Sequence, residues 1–80
     1  MEKFLLNYRT NMSAPIISVE SVEKGMAIIE KLTANAQMAN SKVGSVEFFI
    51  DDWYGDVLYT SPRFVTSTVG DINDIKNLIV

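Results

Sequence analysis

The chain has 80 residues, no Cys and no His, and seven basic against ten acidic residues, for a net charge of −3. A length of this order makes one domain, residues 1–80, which buries only about 60% of its unfolded surface and so has a thin stability margin. The composition excludes disulfides, thiolate zinc sites and Cys nucleophiles, and removes the usual general base and the commonest transition-metal ligand.

The acid excess argues against direct binding to nucleic acid or to an anionic membrane, since both need clustered Lys and Arg. The N-terminal stretch MEKFLLNYRTNM holds too few apolar residues in a row for a signal-peptide core or a membrane span. A cytoplasmic location is the expectation. Met12 offers a second start, which makes residues 1–11 a candidate appendage, although residues 3–8 lean toward a short strand.

Ile16, Ile17 and Val19 predict a strand over APIISVE, with Pro15 at its start or on an edge. The next segment predicts an amphipathic helix capped by Ser18 or Ser21 and ending near Met38 to Asn40. Glu20 and Glu23 lie near its positive end, and Val22, Met26, Ile29, Leu32 and Ala36 form an apolar stripe. Gly25 costs this helix about 1 kcal/mol relative to Ala. SVEFFID and DVLYTS then read as a hairpin, and RFVTSTV as a third strand. GDINDIKNLIV reads as a closing helix with Asp71 as its N-cap, or else as an edge strand. The expected fold is α+β: a small antiparallel meander of about three to four strands, one long helix on one face and a short C-terminal helix.

The hairpin carries the candidate site. A turn of Asp52-Trp53-Tyr54-Gly55 would pair Asp51 with Asp56, Ile50 with Val57, Phe49 with Leu58 and Phe48 with Tyr59. Val46, Phe48, Ile50, Val57 and Tyr59 then face the core. Glu47, Phe49, Asp51, Asp56, Leu58 and Thr60 face away, with Asp52 opening the turn and Trp53 and Tyr54 at its tip, and the candidate contact residues are these without Thr60. Residues 43–62 contain four acids and no base. Exposed aromatics rimmed by polar groups have the composition of a protein-contact hot spot. The plain alternative folds Trp53 back over Phe49.

The spacing of Glu47, Asp51, Asp52 and Asp56 is not that of a calcium loop, so neither a metal nor another cofactor is expected. No nucleophile has a base, and no Gly-rich phosphate loop is present, so no catalytic residue is assigned. The expectation is a non-enzymatic module whose partner is a protein, one with a basic surface. By analogy of size and charge alone, it would be a virus- or phage-type inhibitor of a host nucleic-acid-processing or defence protein. The other reading is a structural subunit of a homo-oligomer or larger assembly.

Overall fold

The computed structural model describes residues 3–79, with side chains described through Ile75. Five strands and two helices follow in the order β1 (Phe4–Arg9), β2 (Ser13–Val19), α1 (Val22–Thr33), β3 (Ser45–Asp51), β4 (Val57–Thr60), β5 (Phe64–Val65) and α2 (Ile72–Ile79). A 3-10 turn, Thr66–Thr68, lies between β5 and α2. All the strand pairings are antiparallel. The sheet order is β2-β1-β3-β4, with β5 also against β3. The α+β class and the two helices agree with the sequence reading.

Residues 4–9, a candidate appendage by sequence, form an inner strand. β1 pairs with β2 on one side and with β3 on the other. Its alternation sends Leu6, fully buried, into the core with Phe48 and Ile50 of β3.

Helix α1 starts at Ser21, whose hydroxyl accepts from the Lys24 amide at 3.2 Å. Its buried face is Gly25, Ile28, Ile29 and Leu32, so Ile29 and Leu32 keep the predicted role while Met26 is turned outward. Gly25 is a contact residue and not merely a cost. A Cβ there would sit 2.6 Å from Ile50 Cδ1 and 3.2 Å from its Cγ1, so the absent side chain lets the helix lie close on β3.

The helix also ends earlier than its Ala-rich sequence suggests. It stops at Thr33, whose hydroxyl donates to the Ile29 carbonyl at 2.7 Å. The Leu32 carbonyl takes the Gly70 amide at 2.8 Å. The chain then runs alongside residues 63–65: the Ala39 amide donates to Arg63 O and the Val65 amide to Gln37 O. Pairing with this segment outweighs the helix propensity of Ala34 and Ala36.

The predicted third strand is shorter than RFVTSTV. Only Phe64 and Val65 pair, opposite Val46 and Ser45. Between β4 and β5, Ser61 replaces a strand residue. Its amide donates to Phe48 O at 2.8 Å, and its hydroxyl accepts from the Phe48 amide at 2.9 Å. The edge of β3 thus stays hydrogen-bonded across the break at Pro62. Helix α2 begins after Asp71, whose carboxylate accepts from the Asn73 amide at 2.8 Å, and Ile75 enters the core. From Lys76 to Ile79 the side chains of this helix lie outside those described. Among the described residues, no helix is long and apolar enough to cross a membrane.

Two stability tests follow from these contacts. Ser61→Ala should cost about 1–3 kcal/mol in urea unfolding, because it orphans the buried Phe48 amide. Gly25→Val should cost more than about 1 kcal/mol, because overpacking against the fully buried Ile50 exceeds any gain in helix propensity.

Candidate functional site

The turn after β3 is built by its own acids. The Asp52 amide donates to Asp56 O at 3.2 Å. One Asp52 oxygen, Oδ1, accepts from the amides of Tyr54 at 2.9 Å and Asp56 at 3.0 Å. Asp51 Oδ1 accepts from the Trp53 amide at 3.4 Å. These are local side-chain bonds that stand in for ladder bonds in a loop. Trp53 has φ +71° and Gly55 φ +94°. The left-handed region suits Gly55, whereas a bulky side chain there costs about 1–3 kcal/mol.

The strand register differs from the one predicted. Asp51 opposes Val57, Ile50 opposes Tyr59 and Phe49 opposes Thr60, with a shift in register between Ile50 and Asp51. The Asp52–Asp56 closure moves the pairing by one residue, and the bulge at Leu58 adds another. Tyr59 still packs against the core, but Val57 does not: Val57 and Leu58 are each 48% exposed. Phe49 and Leu58 are therefore not a cross-strand pair.

The face expected to present acids is largely engaged in its own contacts. Phe49 is only 6% exposed, with the Arg9 guanidinium 4.6 Å from its ring centroid. Arg9 also pairs with Glu47 at 3.1 Å, and Arg63 pairs with the other Glu47 oxygen at 3.5 Å. Arg63 is held in turn by Ser45 Oγ at 2.8 Å. Asp51 Oδ2 accepts from Asn7 Nδ2 at 3.2 Å. Glu47 and Asp51 thus hold the sheet together. Among the described residues, no three acidic side chains converge on a possible metal position.

What remains outward is the end of the hairpin. Trp53 is 56% exposed and Tyr54 91%, with Val57 and Leu58 beside them. The indole does not replace Arg9 as the cover of Phe49. It lines a surface groove together with Tyr54, Asp52, Lys3 and Phe4. Leu5 pairs with Asp51, so the start of β1 lies against the turn. Lys3 and Phe4 were missed by sequence reasoning, because the hairpin's own pattern does not show which strand lies beside β3. The only available signal was the strand lean of residues 3–8.

Comparison of the chain with protein-family models, with curated proteins and with solved structures returns no match.

The exposure of Trp53 gives a direct test. Trp53→Gly should leave thermal stability unchanged or raise it by up to about 1 kcal/mol, since it relieves a strained φ and little packing is lost. A Trp packed in a core would cost about 3–5 kcal/mol on removal.

Proposed function

We propose that the chain is a non-enzymatic binding module that engages another protein through the end of the β3–β4 hairpin. The observation that supports this most is Trp53. It is a bulky residue kept at positive φ, half exposed, next to an almost fully exposed Tyr54. Backbone strain of this kind persists where the side chain serves something other than the fold. Trp and Tyr are also the residues that carry most energy in protein contacts.

The contact is more aromatic and less acidic than the sequence suggests. Glu47 and Asp51 are engaged within the sheet, and Asp52 holds the turn. Asp56 alone of the four hairpin acids has a side chain with no hydrogen bond or ion pair among the described residues. An inhibitor that imitates nucleic acid for a basic host surface is a narrower form of this module, and it would depend on Asp56 and the outer edge of Asp52.

One observation favours the second reading, a subunit of a homo-oligomer. Among the described residues, strand β4 pairs with β3 on one side only; it carries no charged residue and exposes Val57 and Leu58. Uncharged edges are those most open to pairing with another copy.

Affinity capture from the native source, with wild type and a Trp53→Ala/Tyr54→Ala variant, tests the module. A specific partner should be retained by wild type and lost by the variant at least about tenfold, with circular dichroism unchanged. Equal capture by the folded variant would rule out the hairpin end as the contact. Sedimentation at micromolar concentration should show a monomer; a stable dimer of the isolated chain favours the subunit reading.

A further inference from the structure

We infer that the groove at the hairpin end receives an arginine side chain of the partner protein, an inference that rests on reading this end as the contact site. Five residues line the groove: Lys3, Phe4, Asp52, Trp53 and Tyr54. Three of them are aromatic, and ring faces attract cations. A guanidinium is flat and weakly hydrated, so it can stack on a ring while its N–H edge reaches a carboxylate.

Asp52 supplies that carboxylate. Its Oδ1 takes the two turn amides, and its Oδ2 carries no hydrogen bond among the described residues. Lys3 is the other charged residue of the lining, and its ammonium would compete with an incoming cation. A phosphate or carboxylate ligand would meet the Asp52 carboxylate, the one acid that lines the groove, and an apolar side chain would leave its Oδ2 without a partner. A lysine ammonium is more strongly hydrated and stacks less well.

The same hairpin already holds an arginine this way. The Arg9 guanidinium lies 4.6 Å from the Phe49 centroid and 3.1 Å from Glu47. Aromatic ring and carboxylate thus act together on β3, the strand that leads into the turn. At the tip the same two elements are present, with no arginine of the chain among the groove's lining residues.

Trp53 is the sole Trp, so its fluorescence reports on this groove. The probes are acetyl-Gly-Arg-Gly-amide and the same peptide with citrulline or lysine at the centre, titrated at 150 mM salt. The arginine peptide should give a saturable change at about millimolar concentration. Citrulline, with nearly the same shape and no charge, should bind at least about fivefold more weakly, and lysine should fall between. Asp52→Asn keeps the oxygen that accepts the turn amides and removes the charge, so it should weaken arginine binding at least about threefold with unchanged circular dichroism. Lys3→Ala should tighten it.

No saturable change, or an equal response to citrulline, would overturn the assignment. So would tighter binding by Asp52→Asn or weaker binding by Lys3→Ala, which would mark a site for anions. If the native partner is captured equally by wild type and Asp52→Asn but not by Trp53→Ala/Tyr54→Ala, the contact site stands and the arginine assignment fails. If neither variant loses the partner, both fail.

Discussion

A sheet with its apolar core on one side must make its own cover on the other, and β3 is where this constraint is met. Val46, Phe48 and Ile50 enter the core beneath the helices, while Phe49 on the opposite face is almost as buried as they are. The cover over Phe49 is Arg9, held in place by Glu47, which Arg63 holds from the other side. A long cationic side chain laid flat over a ring shields apolar surface while its charge stays satisfied. The arrangement ties together an inner strand, its neighbour and the segment after Pro62. It also explains why an acid-rich hairpin has so little acid to offer outward.

The same arrangement separates the hairpin into two parts with different duties. From Ser45 to Asp51 every side chain is at least partly buried. From Trp53 to Leu58 every residue is exposed, and the turn is closed by backbone and Asp52 bonds that do not need the aromatic rings. The turn's hydrogen bonds therefore do not depend on the indole or the phenol. This division keeps the contact surface proposed above apart from the small core of an 80-residue chain.

The architecture was largely legible in the sequence, because periodicity and capping are local. The stripe through Ile29 and Leu32, the Ser21 cap, the strand SVEFFID and the Asp71 start of α2 are all set by neighbours in the chain. Sequence and structure part where distant segments decide. The sequence predicts a longer α1 because nothing near Ala34 announces that residues 37–39 pair with 63–65. The hairpin register departs from simple alternation because an Asp carboxylate closes the loop and a bulge absorbs Leu58. At the site, the exposed tip was readable from composition, whereas the pairing of Glu47 with Arg9 was not, being separated by 38 residues. Phe4 and Lys3 were hidden for the same reason.

The position of β1 has a consequence for how the chain reaches this fold. Arg9 and Leu5 pair with Glu47 and Asp51, so an early segment waits for a late one. Contacts this far apart in sequence close slowly, since the loop entropy comes before the reward. Until β3 arrives, the β1–β2 hairpin has an open inner edge bearing Leu6 and Tyr8, the kind of edge that recruits other chains. During synthesis that edge would stay unpaired until residue 51 had left the ribosome. The arrival of β3 closes that edge and, with it, the exposed side of β1.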